Sequence, residues 1–419
     1  MNKNKGNVLA IGIMFFLFAM ISFVTGLQNP MGIIAKAQFG ATNLMSQLGN
    51  AANFIAYAFM GLPAGFILKN RGYKFTALAA VSVGFVGVGI SYLSGVFSSF
   101  VIYLLGAFVS GFSMCMLNTV VNPMLNTLGG GGNKGNQLIQ LGGSLNSLAA
   151  TIVPVLAGYL IGEVTEKTQV ADVNPALFIA MAIFALAFVI IFFSRIPEPE
   201  LEAAAGKVEK ESTMDSIKGA ISHKNLVFGV IAIFLYVGIE VGIPNVANLY
   251  MTSADGLGLA AGVAGTLVGA YWFLMLCGRL VAGAIGGKVS SRTMMTTVSS
   301  AGIIFLLLGM FLPKGWLMPV LGTEVPVGML FFVACGLCTS VMWGAIFNLA
   351  VEGLGKYTSI ASGLFMVMVM GGGIVPLIQG AVADVAGYVN SYWVLIVALA
   401  YILWFALVGS KTNKQYSII

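Results

Sequence analysis

Ile152-Val153-Pro154-Val155-Leu156-Ala157-Gly158 returns 222 residues later as Ile374-Val375-Pro376-Leu377-Ile378-Gln379-Gly380. Gly61-Leu62-Pro63-Ala64-Gly65 returns at the same offset as Gly283-Ala284-Ile285-Gly286-Gly287. Basic residues follow both glycine pairs: Lys69, Arg71 and Lys74 after the first, Lys288 and Arg292 after the second. Leu128-Gly129 likewise has a counterpart in Leu354-Gly355. A Gly-x-x-x-Gly pattern alone says only that helices pack closely in lipid. Two unrelated motifs sharing one offset say that the chain is a duplication.

The surroundings of the repeat are apolar. Of 419 residues, 58% are hydrophobic and 8% charged, about a third of the ~25% charge that keeps an ordinary domain in water. Apolar runs of 18 residues and more follow one another, each long enough to cross ~30 Å of hydrocarbon as a helix. The composition excludes a soluble enzyme, a nucleic-acid binder and a secreted disulfide scaffold. Spans are predicted at 8–31, 44–68, 75–97, 100–127, 137–163, 174–194, 226–250, 260–284, 294–313, 326–351, 359–384 and 391–410. The polar stretch Ser194–Asn225 divides them. The expected fold is an all-α membrane protein, twelve transmembrane helices in two six-helix pseudo-symmetric halves: 1–194, a cytoplasmic connector 195–225 with a short surface helix, and 226–419. Six spans per half give both halves the same orientation, so the pseudo-twofold axis runs along the bilayer normal.

The net charge of +6 is a topology signal. With the N-terminus inside, 17 of the 20 Lys and Arg fall on the cytoplasmic side, counting Arg279, Lys288 and Arg292 as one group around the loop between spans eight and nine. Only Lys36, Lys167 and Lys314 fall outside. This bias places both termini in the cytoplasm of a multi-pass inner-membrane protein. The basic start (Lys3, Lys5) continues into an apolar run without a cleavage pattern and is the first span. Gly129–Gly135 lacks the strand and the Lys-Ser/Thr of a phosphate loop. Cys115, Cys277, Cys335 and Cys338 lie within spans and are expected to pack as small apolar groups.

Polar residues at membrane depth are costly and point to a site. Span two carries Gln47, Asn50, Asn53 and Tyr57 on one helical face, and span four carries Asn118, Asn122 and Asn126 at i, i+4, i+8. Span one offers Thr25, Gln28 and Asn29; span five offers Gln140, Ser144 and Asn146. Span seven offers Tyr236, Glu240, Asn245 and Asn248 around Pro244, and span ten Trp343 and Asn348. Amides give and accept hydrogen bonds, and aromatic rings cover C–H faces, which suits an uncharged polyhydroxylated solute. The same amides would also serve as helix-packing bonds. No basic cluster is seen at mid-depth to hold a phosphate or carboxylate. Of fourteen acids only Glu240 lies near the middle of a span, a lone carboxylate able to bind a cation reversibly, to accept hydrogen bonds from a solute, or to bond a neighbouring helix.

Several strings are more specific. Leu117-Asn118-Thr119-Val120-Val121-Asn122-Pro123, Pro63-Ala64-Gly65 through Tyr73-Lys74, Tyr236-Val237-Gly238 and Gly371-Gly372-Gly373-Ile374-Val375 resemble the fucose–glucose/galactose symporter family of the major facilitator superfamily, over most of the chain. The resemblance implies a sugar carrier working by alternating access, nearer to hexose or amino-sugar members than to fucose carriers. Two carboxylates that the family uses for proton coupling and sugar binding correspond to Gly26 and Asn118 here, neither of which titrates. Glu240 falls where the glucose/galactose branch carries a Glu, Asn146 matches a family Asn in span five, and Asn122 matches the Asn of Asn-Pro.

The expected site lies between the halves near the bilayer midplane. Gln28, Asn50, Asn118, Asn122 and Asn146 are assigned to the sugar from the first half, and Asn245, Trp343 and Asn348 from the second, with Glu240 as the ion-coupling group. The Lys69–Lys74 loop is expected to steady the inner gate. No metal and no cofactor are expected beyond a co-transported H⁺ or Na⁺. The partners are a sugar and the lipid bilayer, without nucleic acid, and the chain is expected to be a monomer. Rival readings are an uncoupled sugar facilitator and an efflux carrier for apolar drugs. An enzyme is disfavoured: the lone His223 is in the connector, and no nucleophile–base pair is visible.

Overall fold

Gly72 divides the longest helix. In the computed structural model, which describes residues 3–26, 48–161, 169–198, 213–253 and 256–411, α1 covers Lys3–Gly26 and α2 covers Leu48–Val96. Gly72 has φ 81° and ψ 179°, a left-handed backbone that side chains oppose, so the predicted second and third spans meet at a sharp reversal there. The new helix start is capped from afar. The carboxylate of Glu198, in the connector, accepts the backbone N–H of Tyr73 (2.6 Å) and of Lys74 (2.8 Å), where a negative charge suits the helix dipole. Lys74 reciprocates, donating to the carbonyls of Phe192 and Ser194, both at 2.8 Å. These close α5, Asn174–Phe193. Glu198→Ala should therefore lower stability by about 1–2 kcal/mol, as loss of a helix cap does, read as a lower thermal midpoint of the purified protein. An unchanged midpoint would mean that the cap is idle.

Between those elements lie α3, Phe100–Leu128, and α4, Gly132–Ile161. Gly130, Gly131 and Gly132 join them with φ of 77°, 70° and 53°, three successive left-handed residues that only a glycine run supplies readily. Pro123 in α3 has no N–H, which leaves the Thr119 carbonyl without its intrahelical donor. Ser362 takes it at 3.1 Å, a bond of about 0.6 kcal/mol in lipid.

The connector carries α6, Thr213–Ile221, held to α2 by a Lys69 to Ser216 hydrogen bond. There follow α7 (Lys224–Thr252), α8 (Ala261–Ile285) and α9 (Ser291–Phe311), the last capped by Ser290, whose hydroxyl accepts the Thr293 N–H at 3.1 Å. A two-strand antiparallel hairpin, β1 (Leu317–Val320) with β2 (Thr323–Pro326), leads to α10, Gly328–Thr339. α11 (Met342–Val351), α12 (Thr358–Met368), α13 (Gly371–Ala386) and α14 (Tyr392–Trp404) complete the order. The predicted spans are mostly helix where they are described, although the tenth begins at Pro326, still in β2. Spans ten and eleven are each broken in two, between α10 and α11 and between α12 and α13.

Close packing sorts the chain into two units that do not follow the chain halves. One comprises the described parts of Met1–Leu128, Leu145–Ala220 and Leu354–Val367; the other comprises those of Gly129–Ser144, Ile221–Gly353 and Met368–Ile419. In the first, the Asn stripe of α3 is buried against α2. In the second, α7 is the hub, packed on α10, α11, α13 and α14. Tyr236, Tyr271, Phe332, Phe347 and Tyr392 are all fully buried there.

Candidate functional site

Pro244 shapes the site on α7. Lacking an N–H, it leaves the carbonyl of Glu240, four residues back, without a helical donor. The Tyr271 hydroxyl of α8 donates to that carbonyl at 3.2 Å and lies 3.0 Å from Thr339 Oγ1 of α10. The Glu240 side chain is paired. Its Oε1 is 3.3 Å from a terminal nitrogen of Arg279, and the two side chains are 17% and 10% exposed. Arg279 spreads its planar fork further, donating from Nε to the Ser340 carbonyl (3.3 Å) and from its other terminal nitrogen to the Gly143 carbonyl (3.0 Å). A guanidinium is suited to this, with five fixed donors and a charge that persists when buried.

An aromatic ring flanks the pair. Tyr236, one turn before Glu240, is fully buried against both charges. Trp343 of α11 meets the Tyr236 ring edge-on at 6.3 Å. Gln140 of α4 donates to the Val341 carbonyl at 2.7 Å, beside the break between α10 and α11. The arrangement offers one carboxylate, one guanidinium, two phenols and an indole, a set able to bind hydroxyls and to exchange a cation.

The carboxylate expected to be alone is thus matched by a cation. Arg279 lies inside the predicted span 260–284, although the charge count groups it with the loop. It is nine-tenths buried, at i+8 from Tyr271 and i+4 from Met275, all three on one buried stripe. That spacing is legible in the sequence and is the signal that marks Arg279 as a membrane-depth residue. One basic group, rather than a basic cluster, therefore stands beside Glu240.

In the other unit the amides bond to helices. Asn118 donates to the Tyr57 hydroxyl and to the Met114 carbonyl, both at 3.1 Å, and Asn122, fully buried, donates to the Asn118 carbonyl at 2.9 Å. Asn146 donates to the Phe18 carbonyl at 2.9 Å, joining α4 to α1. The stripes of spans two and four therefore meet, as Tyr57 and Asn118 show. Gln28 lies outside the described residues, as does the side chain of Asn50.

The second-half amides do not gather at Glu240. Asn245 is exposed on α7. Asn348 is buried elsewhere, donating to Ser291 Oγ at 2.9 Å at the start of α9. The reason is helical geometry. Asn245 is five residues from Glu240 and Asn348 five from Trp343, so each pair is about 140° apart around its axis. Tyr236 and Glu240, four apart, share a face.

The Major Facilitator Superfamily profile matches residues 12–376. The chain belongs to that superfamily, and the apolar helices of the described residues are consistent with its twelve-helix architecture. Among curated relatives, the glucose/galactose transporter of Brucella abortus biovar 1 (strain 9-941) is 29% identical, over 98% of this chain and 96% of its own. The putative glucose/galactose transporter of Helicobacter pylori is 28% identical, over 99% of this chain and 100% of its own. The crystal structure of the Escherichia coli fucose:proton symporter superposes with a TM-score of 0.81 at 19% identity, covering 97% of this chain and 100% of that one, a likeness of fold.

Proposed function

We propose that the protein is a secondary active transporter that moves a neutral sugar of the hexose or amino-sugar class by cation-coupled symport and alternating access. The observation that carries this reading is the largely buried Glu240 of α7, paired with Arg279 and beside Tyr236 and Tyr271. A carboxylate kept at membrane depth is costly and is retained where ions or protons pass. Hydroxyl-binding phenols beside it suit a sugar, and the curated relatives carry glucose/galactose names. The working organisation is two like-oriented halves, 1–194 and 226–419, joined by the connector 195–225. Both termini are cytoplasmic and the chain is a monomer in the inner membrane. Moving Arg279 from loop to span leaves the positive-inside bias that supports this orientation intact.

The test is uptake by reconstituted protein of labelled hexoses, fucose and N-acetylhexosamines under an imposed H⁺ or Na⁺ gradient. Accumulation of a hexose or N-acetylhexosamine against its gradient, driven by one of the two ions, is expected. Absence of uptake of every sugar overturns the reading. A second reading, an uncoupled facilitator, is favoured by two observations: Glu240 already has a counter-charge, and Gly26 and Asn118 stand where the resembling family carries acids. Equal uptake rates with and without gradients, stopping at equal concentrations, would select it.

A further inference from the structure

α4 is one continuous helix, yet its first part, to Ser144, packs with the second unit, and the remainder from Leu145 packs with the first. Three side chain to main chain hydrogen bonds hold that first part. Gln137 donates to the Gly283 carbonyl of α8 at 2.9 Å, and Gln140 donates to Val341 at 2.7 Å. Arg279 of α8 donates to the Gly143 carbonyl at 3.0 Å. Residues 137, 140 and 143 follow one another at intervals of three along one side of the helix. Two of the bonds come from neutral amides, whose strength does not depend on a distant charge. The third comes from the guanidinium that also faces Glu240.

We propose that Arg279 is a positioning residue that transmits the occupancy of Glu240 to α4. With Glu240 anionic, the guanidinium is held in one plane by three acceptors on three elements: Glu240 on α7, Ser340 at the α10–α11 break and Gly143 on α4. A cation that takes the carboxylate removes the counter-charge that fixes the fork. An uncompensated guanidinium is costly where it is buried, so Arg279 withdraws toward water, and the bond to Gly143 is given up. The neutral Gln137 and Gln140 bonds alone hold the start of α4 less firmly, and α4 separates from α8. This inference rests on the reading of Glu240 as the coupling group and adds the route by which its state reaches a helix that could move.

The test uses the full-length purified protein with Cys115, Cys277, Cys335 and Cys338 replaced by alanine and a reporter, Leu141→Cys. Leu141 packs on Gly283 of α8, so a water-soluble maleimide labels position 141 slowly while α4 and α8 are together. Arg279→Gln is expected to raise the labelling rate about tenfold, the factor that loss of one charged hydrogen bond carries. Glu240→Gln should raise it similarly, acting through Arg279. Arg279→Lys, which keeps the charge but not the fork, should fall between. The double variant Glu240→Gln/Arg279→Gln removes both charges of the pair; it should recover most of the parental thermal midpoint and still label fast, which separates release of α4 from misfolding. Parental labelling rates in Arg279→Gln and in the double variant would overturn the proposal. Sugar counterflow by the parent judges the transport reading separately, because the labelling readout needs no sugar.

Discussion

Glu240→Gln is expected to abolish uphill sugar accumulation in proteoliposomes while sugar-for-sugar counterflow persists. Coupling needs a group whose charge changes in the cycle, and exchange of one sugar for another does not. Glutamine keeps the shape and an acceptor oxygen for a hydroxyl, but it binds no proton and only weakly a metal ion. The structure adds a cost that composition does not show. Removing one partner of a buried ion pair leaves the other uncompensated, typically at about 3–5 kcal/mol, so the single variant should also melt lower than the parent. Glu240→Gln/Arg279→Gln should recover most of that loss, as a strongly coupled pair does in a double-mutant cycle, without recovering concentrative uptake. Survival of ion-driven accumulation in a folded Glu240→Gln protein would place the coupling elsewhere or remove it.

The second large effect separates the two copies of the repeat. A Cβ on Gly61 would lie 2.5 Å from the Val367 backbone nitrogen and 2.7 Å from the Gly363 carbonyl oxygen; one on Gly65 would lie 2.9 Å from the Ser359 carbonyl oxygen. These neighbours are main-chain atoms of a packed helix and cannot step aside. Gly61→Ala is therefore expected to cost about 1–3 kcal/mol, as overpacking does, and to slow transport with it. The equivalent Gly283 faces the side chain of Leu141 (2.6 Å to its Cδ2), and Gly287 faces the amide end of Gln137 (2.8 Å). Those atoms move by rotamer changes, and alanine favours helix over glycine by about 1 kcal/mol. Gly283→Ala should then leave the thermal midpoint nearly unchanged. Equal losses in Gly61→Ala and Gly283→Ala would show that this contact difference does not govern stability.

Both effects mark where sequence reading succeeds and stops. The duplication at Pro154/Pro376 and Gly61/Gly283, the twelve spans and the superfamily were legible because each is a property of order along the chain. Pro244 and Pro123 were legible as breaks, though not the hydroxyls of Tyr271 and Ser362 that take the freed carbonyls, since these come from other helices. Asn245 and Asn348 were grouped with Glu240 and Trp343 by proximity in sequence, although a five-residue step turns a side chain away. Asn118 and Asn122 look alike as ligand groups and as packing bonds until their partners, Tyr57 and the Asn118 carbonyl, are known.

Run length, set against the thickness of a bilayer, was enough to decide that this chain spans a membrane and how many times. The offset between copies was enough to support a reading of two related halves. Neither could decide that Arg279 neutralises Glu240 or that Gly61 touches a backbone while Gly283 touches a side chain. Those facts depend on contacts of a few ångströms between residues tens or hundreds of positions apart. Such distances exist only once the helices have packed.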